Sequence, residues 1–219
     1  MNSNSLKNNP WINELSREAS EKLVEIAVFR RYVANQQVHQ KGAESDGVYG
    51  VVSGEVRVSA NTFAGEEIVF TRIHPGEWFG EIGVLDDGIR THDAQATIET
   101  VMAVLPKDPL LAICNSYPEV KHAIVNLLCS HCRQAFSVID DFLLFSPTQR
   151  LAKRILTMMQ TSKHSTLKLN QQELGALVGI SRQSANKSFK QWEDQGLIER
   201  GYGKITILDK SALERLVSS

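Results

Sequence analysis

Two charged residues lie in the segment from Gly80 to Thr91, which otherwise consists mainly of glycines and aliphatic residues. Glu81 offers a carboxylate to hydroxyl groups, and Arg90 offers a guanidinium to an anion. Glycine lets the backbone approach a ligand closely, so that amide groups can surround a phosphate. The segment therefore indicates a site for a ligand with hydroxyls and a negative charge. The alternative is a glycine-rich turn in which Glu81 and Arg90 pair with each other.

A second set of polar residues lies at the start of a helix predicted over 182–195. Ser181 precedes this helix as its cap, and the predicted outward face carries Arg182, Gln183, Asn186 and Lys187. In a major groove, arginine suits guanine O6 and N7, and glutamine suits adenine N6 and N7. The alternative is the solvated face of a helix that docks onto protein. The residue types favour DNA binding.

The charge is unevenly distributed along the 219 residues, although the formal net charge is only −1. Residues 147–219 carry a net +6 and the remainder −7, which favours a polyanionic partner for the C-terminal part. No apolar run is long enough to cross a membrane, and Met1 to Pro10 lacks the apolar core of a signal peptide. Only three cysteines occur, so we expect a cytoplasmic protein without a membrane partner.

The sequence offers no catalytic arrangement. The six histidines form no Ser/His/Asp pattern and no metal-ligand spacing, and no Walker-type loop is present. We therefore predict that the chain is not an enzyme and holds neither a metal ion nor a covalent cofactor.

The elements that position these residues begin with a β-rich N-terminal region. Apolar spacing predicts helix from Pro10 to Arg30, with Ser16 as a capping point for a second short helix. Short β-branched and aromatic runs then follow from Tyr32 to Leu105, with turn residues between them. This pattern predicts an α+β protein in which residues 1–116 form a small β-barrel or jelly roll.

A long helix is predicted from Tyr117 to Phe145, and the Ser146-Pro147 pair that follows it is a predicted hinge. Alternating spacings of three and four along this helix are typical of a two-helix coiled coil. The seam residues are Val125, Leu128, Cys132, Ala135, Ile139 and Phe142. Packing on the β-domain can coexist with this pairing, because a neighbouring stripe that could cover the β-domain consists of Ile124, Leu127, Phe136 and Leu143. We expect segment 117–146 to form a homodimer through the seam.

Residues 147–219 are predicted to form a winged helix-turn-helix domain. After an amphipathic helix from Arg150 to Gln160, a short helix over Gln171 to Val178 leads through Gly179-Ile180 into the helix over 182–195. Residues 196–207 have the pattern of a β-hairpin, which is the predicted wing.

The order of these parts resembles the CRP/FNR family of bacterial transcription regulators over nearly the whole chain. The matching segments are Tyr49 to Val56, Gly76 to Gly83, Arg90-Thr91 and Leu174 to Lys187. The glycine–glutamate and arginine–hydroxyl pairs resemble the phosphate-binding cassette of cyclic-nucleotide-binding domains. The combination of cassette, long helix and winged helix-turn-helix is more specific than any one part.

The resemblance implies a role for each matching residue of the cassette. Glu81 would accept a hydrogen bond from the ribose 2′-OH, and Arg90 would pair with the cyclic phosphate. The Thr91 hydroxyl and the amides around Gly80 to Ile82 would complete the cradle.

Roles in the DNA-binding domain are implied in the same way. Arg182, Gln183 and Lys187 would occupy base-reading positions, whereas Asn170 and Gln172 would lie near phosphates.

Several residues depart from the family pattern. Ala135 and Phe136 stand where cyclic-AMP-responsive members have a Thr-Ser pair against adenine, although Phe136 could stack on a purine. The loop after Leu85 is one residue shorter, and His92-Asp93 is unusually polar. The run from Cys129 to Cys132 suggests redox or metal sensing, but a cluster usually needs four thiolates, so a structural role for Cys132 is favoured.

The resemblance implies a homodimeric regulator that binds palindromic double-stranded DNA under allosteric control by a cyclic nucleotide, with cyclic AMP as the first choice and RNA polymerase as an additional partner. The alternative is the same DNA-binding regulator acting without a nucleotide, or sensing cyclic di-GMP, redox state or haem.

Overall fold

A computed structural model describes residues 10–61, 67–162, 166–168 and 178–218. The chain divides into two compact units, Met1–Arg133 and Gln134–Ser219. No helix among the described residues combines the length and apolarity needed to cross a bilayer.

The first unit is built on two four-stranded antiparallel sheets, which confirms the predicted jelly-roll-like β-domain. One sheet has the order β1-β8-β3-β6 and consists of Val28–Tyr32, Thr100–Pro106, Gly47–Ser53 and Trp78–Phe79. The other has the order β2-β7-β4-β5 and consists of Gln37–His39, Asp93–Ala96, Val56–Asn61 and Glu67–Ile73. Buried apolar side chains from both sheets, among them Tyr49, Phe79 and Met102, form one core between them.

Helices cover one side of this β-domain. They are α1 (Pro10–Asn13), α2 (Arg17–Ile26), the single turn α3 (Ile82–Leu85) between β6 and β7, and α4 (Lys107–Ser116). The prediction of helix up to Arg30 was wrong, because Val28 to Tyr32 pair with β8 as a strand. Ser16 does cap α2, since its hydroxyl accepts a hydrogen bond from the Ala19 amide at 3.3 Å.

The predicted long helix is α5, which runs from Pro118 to Leu144. Its N-terminal part packs on the β-domain, where Val120 and Ile124 are buried in the core with the helices α1, α2 and α4. The stripe alternative therefore holds for Ile124 and the half-buried Leu127, but not for Phe136 and Leu143, which are 65% and 78% exposed.

The second unit contains α6 (Pro147–Ser162), β9 (Thr166–Lys168), α7 (Arg182–Asp194), β10 (Ile198–Gly201), β11 (Lys204–Ile207) and α8 (Lys210–Ser218). The strands form a small sheet in the order β10-β11-β9. Its core joins α6, α7 and α8 through Leu151, Phe189, Trp192 and Leu213. The first helix of the predicted helix-turn-helix, over residues 171–178, lies outside the described residues except for Val178, which is buried.

Candidate effector site and nucleic-acid interface

Glu81 follows strand β6 and lies at the N-terminal end of α3. It makes no capping hydrogen bond with its side chain, so the carboxylate is available for other contacts. That carboxylate is only 3% exposed, and its Oε1 lies 2.7 Å from Nδ1 of His131 on α5. Gly80 makes the sharp turn before it with φ of +89°, and a Cβ there would lie 2.4 Å from Nη1 of Arg90. Glycine is thus favoured at this position because of its positive φ and because a side chain would clash with Arg90.

Arg90 is buried as well, with only 2% of its side chain exposed. Its Nη2 donates to Asp46 Oδ1 at 2.7 Å and to the Gly47 carbonyl at 2.8 Å, and its Nη1 donates to the Gly80 carbonyl at 3.0 Å. The guanidinium also lies 5.0 Å from the centre of the Tyr49 ring. The cation is therefore held in a fixed position next to the Gly80–Glu81 backbone.

Asp46 is the carboxylate that balances this charge. Besides Arg90, it accepts hydrogen bonds from the Tyr49 hydroxyl at 2.7 Å and from Arg30 at 3.2 Å. Burial raises the pKa of Asp46, but the hydrogen bonds from Tyr49, Arg90 and Arg30 outweigh it, so the pKa is lowered overall. Burial and then the Asp46 contact raise the pKa of Tyr49. At neutral pH this is an ionised carboxylate shared by two cations and a phenol.

Pairing between Glu81 and Arg90, the alternative interpretation of the segment, is wrong. Within the described part of the chain, the ion pairs of these two side chains go to His131 and Asp46. Sequence reasoning identified neither partner for this site, because each lies 44 to 50 residues away along the chain. His131 stood out only as a member of the run from Cys129 to Cys132.

Two polar atoms around the site are buried without a hydrogen-bond partner among the described residues. They are Nε of Arg90 and Oγ of Ser45. Ser45 lies against Gly83, where an added Cβ would approach its Cβ to 2.8 Å. Unsatisfied buried polar atoms are costly, and they fit a site whose polar ligand completes them. These atoms and the bare glycine backbone are compatible with a phosphate-bearing ligand.

The other predicted site residues lie in different surroundings. Thr91 is exposed, and its Oγ1 lies 2.9 Å from Nδ1 of His92. Ile82 is 39% exposed. Ala135 and Phe136 belong to the second unit, and both are exposed on α5. The nucleotide-binding roles of all four residues stay predictions.

The electrostatic effect of Arg90 extends to a neighbouring histidine. His39 packs against the rings of Tyr49 and Phe79, with ring centroids about 6 Å apart. Burial, followed by the charge of Arg90, lowers the pKa of His39 to about 4. His39 is consequently neutral at physiological pH, and Arg90 remains the cation on this side of the site.

The predicted recognition helix is present as α7. Ser181 caps it as predicted, because its Oγ accepts a hydrogen bond from the Ser184 amide at 3.1 Å. Arg182, Gln183 and Lys187 are all exposed, whereas Ala185, Phe189 and Trp192 of the same helix are buried. No salt bridge involves Arg182 or Lys187 within the ranges that the structure covers. Asn170 and Gln172 lie outside the described residues, so their predicted phosphate contacts remain predictions.

The predicted wing is the antiparallel hairpin of β10 and β11. Gly201 pairs with Lys204, so Tyr202 and Gly203 form a two-residue turn, in which Gly203 has φ of +64°. Tyr202 at the tip is completely exposed. Two residues before this turn, Arg200 donates from Nε to Glu193 of α7 at 2.8 Å, which ties the wing to the recognition helix. Sequence reasoning did not single out Tyr202.

The three cysteines have separate surroundings. Cys114 is buried in the core, Cys129 is half-buried and Cys132 is exposed, and all three are free thiols. No group of three potential metal ligands occurs among the residues that the structure describes.

The seam residues of α5 are accessible in the single chain. Val125, Ile139 and Phe142 are 36%, 51% and 46% exposed, Cys132 and Ala135 are exposed, and Leu128 is half-buried. This row of apolar side chains has the arrangement of an unpaired coiled-coil face.

Comparison with known proteins matches both units. The family model of the cyclic nucleotide-binding domain matches residues 29–117, and that of the Crp-like helix-turn-helix domain matches residues 149–216. The cyclic AMP receptor protein of Thermus thermophilus is 26% identical over 211 residues, which cover 96% of this chain and 98% of that protein.

Two solved structures share the fold. A transcriptional regulator of the CRP/FNR family from Eubacterium rectale has a TM-score of 0.78 and 20% identity, covering 96% of this chain and 98% of that one. The c-di-GMP responsive global regulator CLP of Xanthomonas campestris has a TM-score of 0.77 and 20% identity. The match covers 88% of this chain and 99% of that one.

Proposed function

Because the chain belongs to the CRP/FNR family of DNA-binding transcription regulators, we propose that a cyclic nucleotide controls its affinity for DNA, with cyclic AMP as the first candidate. The name of the Thermus relative, which matches nearly the whole chain, supports this choice of nucleotide. The proposed role is regulatory and not catalytic. It is exercised on promoter DNA in the cytoplasm, with RNA polymerase as a further partner.

The observation that carries the proposal is the pair of buried opposite charges beside the glycine backbone. Glu81 and Arg90 are 3% and 2% exposed, and burying charges is expensive unless partners or a ligand compensate them. In the proposed complex, Arg90 pairs with the cyclic phosphate, aided by its unpartnered Nε. Glu81 accepts a hydrogen bond from the ribose 2′-OH through the oxygen that His131 does not occupy.

Dimerisation through α5 forms the second part of the proposal. Its support is the exposed apolar seam, which a copy of the same helix would bury in knobs-into-holes packing. A two-fold dimer presents two α7 helices to a palindromic operator. Both can bind when their separation matches successive major grooves, about 34 Å apart.

The effector acts by favouring one conformation of the dimer. It shifts this equilibrium only through a difference in its affinity for the two states. Helix α5 contacts the candidate site through His131 and continues to Leu144, shortly before α6 begins at Pro147. A change at the site is thereby linked through one continuous helix to the DNA-binding domain.

Isothermal titration calorimetry with cyclic AMP, cyclic GMP and cyclic di-GMP tests the proposal. We expect saturable heat with cyclic AMP, and its loss in Arg90→Ala. The matched control is Arg31→Ala, which removes an exposed arginine paired with the exposed Glu99 and should leave binding unchanged. Absence of heat with all three nucleotides at high protein concentration would contradict nucleotide control.

A nucleotide-independent regulator is the second candidate, and one observation favours it. The terminal nitrogens of Arg90 already donate to Asp46 and to two backbone carbonyls, so a phosphate must compete with these bonds. If this candidate is correct, operator affinity is the same with and without nucleotide, and Arg90→Ala leaves it unchanged in a folded protein.

A further inference from the structure

Glu81 depends on a single side chain of the long helix. Its Oε1 lies 2.7 Å from Nδ1 of His131, and this is the hydrogen bond that the described residues provide for the carboxylate. His131 is 31% exposed, whereas Glu81 is 3% exposed. A carboxylate so deeply buried requires a hydrogen-bond partner. His131 therefore fixes the direction of the Glu81 carboxylate.

The contact with His131 leaves Oε2 of Glu81 able to accept a hydrogen bond. Since Nδ1 of His131 takes Oε1, the second oxygen of Glu81 is the one that can accept from a ligand hydroxyl. Without His131 the carboxylate is free to rotate, and the site loses an oriented acceptor.

The charges facing His131 are mostly negative. Glu81 approaches it directly and Glu77 lies close enough to act on it, while Arg133 follows two positions later on α5. The hydrogen bond with Glu81 raises the pKa of His131, against the opposing effect of burial and with smaller contributions from the charges of Glu81 and Glu77. Asp46 and Arg90 compensate each other on the far side of Gly80.

We propose that His131 is the positioning residue for Glu81 and that its proton makes the site receptive to an anionic ligand, so that cyclic nucleotide affinity is highest at low pH. This inference rests on the proposed function. Protonated His131 offsets Glu81, and a bound cyclic phosphate then adds its negative charge to a nearly neutral site. Once His131 loses its proton, Glu81 and Glu77 are left to repel the phosphate.

The sign of the pH dependence follows from proton linkage between the ligand-free and the bound protein. A ligand that binds the protonated form more tightly raises the pKa of His131, so affinity is highest below the pKa of the ligand-free protein and falls as pH rises from that pKa to the pKa of the complex. If the bound phosphate raises the His131 pKa further by one unit, affinity falls about tenfold across the titration.

The experiment measures cyclic AMP affinity by calorimetry between about pH 6 and pH 8.5, a range in which histidine titrates. His131→Arg keeps a cation at every pH, and His131→Gln keeps a hydrogen-bond donor without charge. We expect about a tenfold loss in the wild type with rising pH. We expect a flat, tight profile for His131→Arg and a flat, weak profile for His131→Gln. The proposal is overturned if either variant retains the wild-type pH profile.

A second measurement separates this inference from the proposed function. In the ligand-free protein, nuclear magnetic resonance should give His131 a raised pKa that Glu81→Gln returns towards the ordinary value. If that pKa is raised but cyclic AMP does not bind at any pH, the proposed function is refuted, and the ligand role of His131 with it. If cyclic AMP binds but the pKa of His131 is unaffected by Glu81→Gln, only the role of His131 is refuted.

Discussion

Arg90 and Glu81 are adjacent in the site, yet each is balanced by a residue from another element. Arg90 is held by Asp46 at the start of β3, and Glu81 is held by His131 on α5. A ligand phosphate must therefore share Arg90 with Asp46, which makes this ion pair a determinant of both stability and affinity. The site itself was predictable, because Glu81 and Arg90 are the charged residues of a glycine-rich segment. Their partners were not, because nothing local in a sequence links residues separated by 44 or 50 positions.

Asp46→Asn tests the balance of charge at Arg90. We expect a loss of about 1–2 kcal/mol in the free energy of unfolding, because the buried guanidinium loses its counter-charge. The loss is moderated because the Asp46 side chain is 47% exposed and solvent screens the pair. Denaturant unfolding of the purified chain measures it. The control is Asp87→Asn, which removes a carboxylate that is 90% exposed and pairs with Lys107, and it should have a much smaller effect. Equal stability of Asp46→Asn and wild type would show that Arg90 does not depend on Asp46.

At the level of secondary structure, the N-terminal ends of two helices were easier to predict than the C-terminal end of α2. The caps Ser16 and Ser181 have a local signal in the sequence, and both make the expected hydrogen bond to an amide three residues later. Apolar spacing alone did not separate α2 from strand β1, because Val28 to Arg30 were assigned to the helix, whereas pairing with β8 makes them a strand. Helix α4 was not predicted as a separate element, although Pro109 lies in its first turn, where proline is tolerated.

The wing contributes a prediction of its own. Tyr202 is a completely exposed aromatic residue at the tip of a tight turn, next to Lys204. We expect its hydroxyl to donate to a DNA phosphate, so Tyr202→Ala should weaken operator binding by about threefold to tenfold, the value of one hydrogen bond. Fluorescence anisotropy with a labelled operator measures this affinity.

Tyr202→Phe is the matched control for the wing, because it removes only the hydroxyl. It should reproduce most of the loss if the hydroxyl makes the contact. The thermal unfolding midpoint should not change in either variant, since the side chain packs on nothing. Full affinity of Tyr202→Ala would mean that the wing tip does not reach the DNA.

At the scale of the whole molecule, the proposed switch requires two copies of the chain. The seam on α5 is exposed over several turns, and its pattern was visible in the sequence as alternating spacings of three and four. A coiled coil would bury these side chains and relate the two DNA-binding domains by a two-fold axis. The sequence could predict the seam but not the relative position of the recognition helices. That position depends on the backbone conformation at the predicted hinge, Ser146-Pro147.

Ile139→Glu tests the dimer directly. Ile139 is 51% exposed in the single chain and lies on the seam, so a charge there would face its own copy across the two-fold axis. We expect sedimentation velocity to give a dimer for the wild type and a monomer for the variant at the same concentration. Ile98→Glu is the control, because Ile98 is similarly exposed at 55% but lies between β7 and β8. If Ile139→Glu is still a dimer, the dimer interface does not lie on the seam of α5.

In the proposed switch, a ligand bound at Glu81 and Arg90 controls DNA binding by helix α7. The most direct test is the affinity for a genomic operator, measured by anisotropy with and without saturating cyclic AMP. We predict that cyclic AMP tightens binding at least tenfold in the wild type, the effect of a coupling free energy of about 1.4 kcal/mol. Arg90→Ala should bind the operator equally with and without it. An operator affinity that cyclic AMP leaves unchanged in the wild type, or changes equally in Arg90→Ala, would contradict the account.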